Sequence, residues 1–468
     1  MTVLIAARAG LRTVASFHED ERLVAWWTRR VERLARWLDP RRRRQMLSVA
    51  SLVLLASSLG HRPAMPSADM ALTSGLRWML GVPCVLGLFL LCYLGAVHFR
   101  RLPDAIRRRP QIALHLLFWA MLVVLWLTPS DGGLWRRVVM LVTLVAPFVL
   151  WRCGYLLKSG QRGKAAGTSF SDHLFYLWPA WRGTETPYGK GFDYLSRNEA
   201  QSAEAFARSQ LAGIKLLLLA QVWTAVMLLM RGAVYGDPDT PFAIVLRGYS
   251  LGTPRLNDLI RGTASASVAM AWGSVYCDLI WNTLRIAAKG HEYIGVLRLC
   301  GFNVFRNTYK PLLAETILEF WNRYYYYFKE LLVEFFFYPT FARYRARPWL
   351  RTLLAVFAAA FVGNLYYHVI DQRRLLALAD FSGVWNLLHA RIFYCFLLAT
   401  GIYVSMLREH GRRGRASDAR GGGARRLLRI GGVWTFYGVI HIWNGGLATF
   451  GQRAHFFLSL LALGDHVP

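Results

Sequence analysis

The chain's 468 residues are 55% apolar and 14% aromatic with a positive mean hydropathy, which excludes a string of ordinary soluble domains and suits a single polytopic membrane domain. Its formal charge of +29 does not point to nucleic acid: the arginines cluster between apolar stretches, as positive-inside topology and attraction to anionic membrane lipids require. The six cysteines (Cys84, Cys92, Cys153, Cys277, Cys300 and Cys395) lie in or beside apolar segments without the paired spacing of a zinc site or a disulfide scaffold, and read as core residues.

Residues 1–44 form a basic lead-in. Leu23, Val24, Trp26, Trp27, Val31, Leu34, Trp37 and Leu38 recur at helical spacing among arginines, so the expectation is an amphipathic helix on the cytoplasmic membrane surface, ending in the run Arg41 to Arg44. Basic and acidic residues throughout this lead-in argue against a cleavable signal peptide. The remainder, 45–468, reads as one membrane domain.

Apolar segments follow at 45–59, 70–97, 111–127 and 134–157, near the roughly twenty residues a bilayer demands. The connections 100–109 and 158–164 are basic and 61–69 and 128–133 are not, which puts the N-terminus in the cytoplasm. Residues 170–181 are too short to span and lead into a Gly-, Tyr- and charge-rich stretch to 202, the pattern of a re-entrant segment at a site mouth. The GKG within it lacks the strand and the spacing of a phosphate loop. Further spans are expected at 211–230, 264–286, 350–370, 381–407 and 430–450, with a short closing segment at 455–463. Counting sides puts 231–262 outside and 287–347 in the cytoplasm, and runs 350–370 outward with His368 toward its outer end. The glycine-rich, basic loop 408–429 is then cytoplasmic.

The stretch 301–339, GFNVFRNTYKPLLAETILEFWNRYYYYFKELLVEFFFYP, is neither a span nor a loop. A helix beginning near Glu315 would put Glu315, Glu319, Asn322, Tyr326, Glu330 and Glu334 on one polar stripe, with Phe320, Trp321, Tyr324, Phe328, Leu331, Leu332, Phe335 and Phe336 on the other faces. His291 and Glu292 begin the zinc pattern H-E-x-x-H, but Gly295 stands where the second histidine is needed, so no metal site is expected.

Order and spacing in this region resemble the signature of the membrane-bound O-acyltransferase family, especially its bacterial alginate O-acetyltransferase and D-alanyl-transfer branch. Ile294, Gly295, Arg298, Leu299, Gly301 and Phe302 are similar to that family's I-G-x-x-R-L-x-G-F, and Asn307, Pro311, Phe320, Trp321, Arg323, Glu334 and Pro339 continue the series. GNLYYHVI at 363–370 resembles S-G-L-W-H-G, and WNLLHA at 385–390 resembles W-G-L-L-H-G. FYLWPAW at 175–181, YCD at 276–278 and WTFYGVIHIWNG at 434–445 fall where weaker landmarks lie, so the resemblance spans about 170–463.

The resemblance implies an all-α bundle of about ten spans, with re-entrant and interfacial helices around a central tunnel. It implies transfer of an acyl group from acyl-CoA or another thioester, with no bound cofactor, to a hydroxyl of an exported saccharide, lipid or small molecule. Export or biosynthesis proteins would be partners, and a bacterial inner membrane the location. His368 falls at the family's catalytic histidine and suits a general base, because imidazole titrates near neutrality. Tyr325 stands where relatives carry His or Asn, with Asn322 one turn earlier as an alternative amide donor to a carbonyl oxygen. Arg323, Trp321, Asn307, Glu330 and Glu334 are the implied substrate-binding residues. Two departures, Tyr325 and the segment WNTLRIAAKGHE at 281–292 in place of D-F-S-G-Y-S-D, leave a second reading open, a scaffold or export partner that kept the fold and lost the chemistry. A transporter ranks last, because no internal repeat is visible.

Overall fold

A computed structural model describes residues 16–61, 74–129, 133–175, 177, 186, 190–240, 249–344, 347–413 and 423–462. Most of the FYLWPAW run and the middle of the loop 408–429 lie outside them. Among the described residues every regular element is helical, and the one extended pairing is an isolated antiparallel bridge between Glu199 and Phe302.

Helices α1 (Glu21–Trp37), α2 (Pro40–His61), α3 (Ser74–Val97), α4 (Pro110–Leu127), α5 (Gly133–Gln161), α6 (Ala203–Ala233) and α7 (Val268–Leu299) make up the first part of the chain. Among the described residues five helical stretches are long and apolar enough to cross a membrane: Met79–Val97, Pro110–Leu127, Ala203–Ala233, Pro348–Asp371 and Phe381–His410. A sixth arises if Gly133–Pro147 and Val149–Gln161, bent by 63°, count as one. The bend falls at Pro147, whose nitrogen has no hydrogen to donate to the helical ladder. This is a polytopic, all-helical membrane protein.

The chain divides into two compact units. The first comprises Met1–Leu218, Glu292–Phe305 and Arg373–Asp380. In it α1 starts at Asp20, whose carboxylate accepts from the backbone N–H groups of Arg22 and Leu23 at 2.8 and 3.0 Å, and it buries Val24 and Val31 while Trp26 and Trp37 stay exposed. That is the expected amphipathic helix. Small residues allow close helix packing: a Cβ on Gly213 of α6 would lie 2.7 Å from the carbonyl oxygen of Gly295 on α7. Glu199 is buried and paired with Arg43 at 3.8 Å and Arg44 at 2.5 Å. Arg298 donates twice to the carbonyl of Val304, at 3.0 and 2.7 Å, and Gly301 takes φ +88° where a Cβ would meet the Arg43 guanidinium at 2.7 Å. Gly295, Arg298, Gly301 and Phe302, the first block of the signature series, therefore each have a packing role in this unit.

The second unit comprises Leu219–His291, Arg306–Gln372 and Phe381–Pro468. Its helices include the C-terminal part of α6, the N-terminal part of α7, α8 (Ile317–Tyr324), α9 (Tyr326–Leu332), α10 (Tyr338–Arg343), α11 (Pro348–Val356), α12 (Asn364–Asp371), α13 (Phe381–Arg413), α14 (Gly423–His441) and α15 (Phe450–Leu460), with π-helical turns at Val333–Phe337 and Phe357–Gly363. Phe320, Val275, Leu279, Cys395, Leu398, Tyr437 and Phe456 are among the buried residues of its core.

The single helix expected from Glu315 is not formed. The sequence TILE starts α8 with Thr316 as N-cap, its Oγ1 accepting from Glu319 N–H at 3.0 Å, while the Glu319 carboxylate accepts from the N–H of Glu315, one residue before the cap, at 2.7 Å. The helix then breaks at Tyr325, at φ −141° and ψ 77°. The segment from Asn307 to Tyr309 fills the break. Tyr309 N–H donates to the Arg323 carbonyl at 2.8 Å and Thr308 Oγ1 to the Tyr324 carbonyl at 2.9 Å. Tyr326 N–H donates to the Asn307 carbonyl at 2.9 Å and Tyr327 N–H to its Oδ1 at 3.3 Å. The groups that a helix end leaves open are thus satisfied from outside, and the run of tyrosines, only middling helix formers, does little to resist.

Candidate active site

His368 lies in the last turn of α12, at the end of the apolar stretch Pro348–Asp371. Phe328 of α9 brings the expected residues together: its ring centroid is 6.4 Å from His368, 5.4 Å from Tyr325, 6.4 Å from Trp321 and 4.7 Å from Tyr367. His368 and Tyr325 therefore flank one ring, and Tyr325 owes its direction to the break rather than to a helical face. Asn364, one turn before His368 and on the same side of the helix, is buried with its Oδ1 unpartnered.

The other candidates are placed differently. Asn322 is exposed on α8. Asn307 is fully buried, its Oδ1 caps α9, and its Nδ2 has no partner among the described residues. Arg323 pairs with Glu319 within α8, with its guanidinium 6.0 Å from the Tyr309 ring. Glu330 pairs with Lys329, and Glu334 lies in the π-helical turn Val333–Phe337. Glu315 is held by Arg426 at 3.0 Å and Arg429 at 2.6 Å of α14. The stripe is thus split by the break, and its carboxylates at 315, 319 and 330 are neutralised locally. Burial pushes the Tyr324 hydroxyl above its ordinary range, so it stays protonated.

Two groups not singled out in the sequence complete the neighbourhood. Arg391 of α13 donates through Nη1 to His368 Nδ1 at 2.8 Å and through Nη2 to the Asn444 carbonyl at 3.0 Å, and its Nε has no partner. Guanidinium only donates, so Nδ1 is the accepting nitrogen and the neutral ring carries its hydrogen on Nε2. The signal was available: Arg391 follows WNLLHA inside an otherwise apolar helix, where an ionisable side chain is costly unless it serves a site. One turn along α13, Tyr394 lies 6.3 Å, ring to ring, from His441, whose Nδ1 is 3.4 Å from Asp278 Oδ2. Asn282 donates to the same carboxylate oxygen at 2.9 Å. The YCD landmark thus ends in a carboxylate facing a histidine. Among the described residues no group of three or more metal-ligating side chains comes together.

The sequence matches no family model, and no curated protein matches it. The family resemblance rests on the ordered residue series alone.

Proposed function

We propose that this chain is a membrane-bound O-acyltransferase of about ten spans, moving an acyl group from acyl-CoA or another thioester to a hydroxyl of an exported saccharide, lipid or small molecule. Its place would be a bacterial inner membrane, with the N-terminus in the cytoplasm. The observation that carries the reading is that His368, from one block of the signature series, and Tyr325 and Trp321, from another, meet around Phe328.

In the proposed step His368 takes the proton of the acceptor hydroxyl, whose oxygen forms a bond to the thioester carbonyl carbon. The C–S bond then breaks and the thiolate leaves, taking the proton back from His368. Tyr325 donates to the carbonyl oxygen as negative charge develops there.

The test is thiol release from acyl-CoA by the purified protein in lipid, with a mixed saccharide pool or water as acceptor. Release that disappears in His368→Ala, with the variant still folded and inserted, supports the reading. No release from a folded wild type across several acyl lengths favours the scaffold, whose supporting observation is that Arg391 occupies the basic nitrogen of His368.

A further inference from the structure

The second unit handles its partly and fully buried arginines in two ways. Arg231 is paired with Asp237 at 2.6 Å and Arg429 with Glu315 at 2.6 Å. Among the described residues Arg391 and Arg453 have no carboxylate within ion-pair distance, Asp371 at the end of α12 acting on Arg391 only through its field; they donate to carbonyl oxygens of the turn around Asn444, Gly445 and Gly446 and, for Arg391, to His368. Arg453 is fully buried and satisfied by the carbonyls of Ile442, Gly445, Gly446 and Ala448. Arg391 is only half-buried and keeps an unpartnered Nε. The turn is shaped for it: Gly445 takes φ +86°, and a Cβ there would come within 2.5 Å of Arg391 Nη2.

Taking a cation out of water without an anion in direct contact is unfavourable, and two guanidiniums at one turn compound the cost, which the more distant Asp371 offsets only in part. An anion bound to Arg391 would remove it. Guanidinium prefers a carboxylate or phosphate oxygen to an imidazole nitrogen, because both partners are then charged and the fork geometry matches. We infer that Arg391 is the receptor for a carboxylate or phosphate group carried by a substrate, and that its turning to that anion frees Nδ1 of His368 to accept a proton. This deepens the acyltransferase reading and rests on it: the substrate class becomes an anionic acceptor or donor whose charged group sits beside the reacting hydroxyl or thioester. Without that anion the base stays covered, so the site discriminates by charge before chemistry begins. Arg391 is then a positioning residue for His368 as well as a binding residue for the anion.

The experiment uses the full chain in phosphatidylcholine nanodiscs. Thermal unfolding is followed with inorganic phosphate against chloride at equal ionic strength, for wild type, Arg391→Gln and Arg391→Lys. The expected result is a phosphate-dependent rise of the unfolding midpoint in wild type that Arg391→Gln loses. A second arm replaces part of the lipid with phosphatidylglycerol. A rise there that phosphate no longer adds to identifies a lipid headgroup as the source of the anion, whereas a phosphate response independent of lipid identifies a soluble or substrate-borne one. If neither arm shifts wild type, or Arg391→Gln shifts equally, the inference is overturned.

Should the Arg391 variants fail to fold, wild type alone decides through carbethoxylation of His368 mapped by peptide mass spectrometry. The reagent attacks the unprotonated ring nitrogen, so phosphate should raise modification at His368, and unchanged or lowered modification overturns the proposal. Anion binding without thiol release would uphold this site while removing the acyltransferase. Thiol release that neither phosphate nor Arg391→Gln alters would do the reverse.

Discussion

A Cβ on Gly290 would lie 2.7 Å from Nδ2 and 2.8 Å from Cβ of Asn307, the residue that caps α9. The absent side chain on α7 makes the space in which Asn307 sits, and Asn307 in turn holds the break that turns Tyr325 toward Phe328.

Gly290→Ala should therefore destabilise the second unit by about 1–3 kcal/mol, the usual cost of overpacking a filled site. Asn307→Gly removes both the crowding, which involves its Cβ as well as its amide, and the side-chain cap. The double variant should unfold less readily than the sum of the singles implies, which a double-mutant cycle on thermal unfolding in detergent measures.

Glu199 in the first unit pairs with the buried guanidinium of Arg43 and also with Arg44. Glu199→Gln leaves two cations at a buried position with one neutral partner and should cost about 3–5 kcal/mol. By contrast Glu315, facing the half-exposed Arg426 and Arg429, should lose less than about 1 kcal/mol on change to Gln, and that loss should shrink with added salt. Parallel denaturation of the two variants at low and high salt separates these cases.

His173 in the first unit is 1% exposed, and its Nε2 lies 2.8 Å from Thr168 Oγ1. Burial holds its imidazole down to about 4. The unfolded chain then binds the proton first, so His173 contributes fully to stability above pH 6.5 and loses that contribution as the pH falls from 6.5 toward 4. The loss should reach about 3 kcal/mol. His173→Gln should flatten this part of the stability profile relative to wild type, measured by denaturation from pH 7 down to 4.

Tyr325→Phe keeps the ring against Phe328 and removes the hydroxyl. If the hydroxyl steadies the carbonyl oxygen, thiol release should fall about 100-fold or more with the unfolding midpoint unchanged, in line with loss of one oxyanion donor. An unchanged rate would leave Tyr325 as a packing residue and move the donor role elsewhere.

Sequence alone determined the class of protein and the places of five apolar stretches and one bent pair, while the spans expected at 45–59, 264–286 and 430–450 are not among the described stretches long and apolar enough to cross. Hydropathy is a property of some twenty consecutive residues, so the stretches 111–127 and 350–370 reappear as Pro110–Leu127 and Pro348–Asp371, and the spacing of tryptophans and valines before Arg41 reappears as α1. The capping pattern of Thr316 and Glu319 is likewise local and readable. What only the tertiary structure decided is the path of the chain at Tyr325 and the company of His368. Nothing in the tyrosine run itself stops a helix. The break exists because Asn307, Thr308 and Tyr309 supply hydrogen bonds that the helix would otherwise make to itself. Arg391 was legible as a charge inside an apolar helix, but the partner that gives it meaning, 23 residues away in sequence and 2.8 Å away in space, depends on how α12 and α13 pack. Periodicity reports which face a residue shares along one element, and a site made where several elements meet is set by packing and by hydrogen bonds between distant segments.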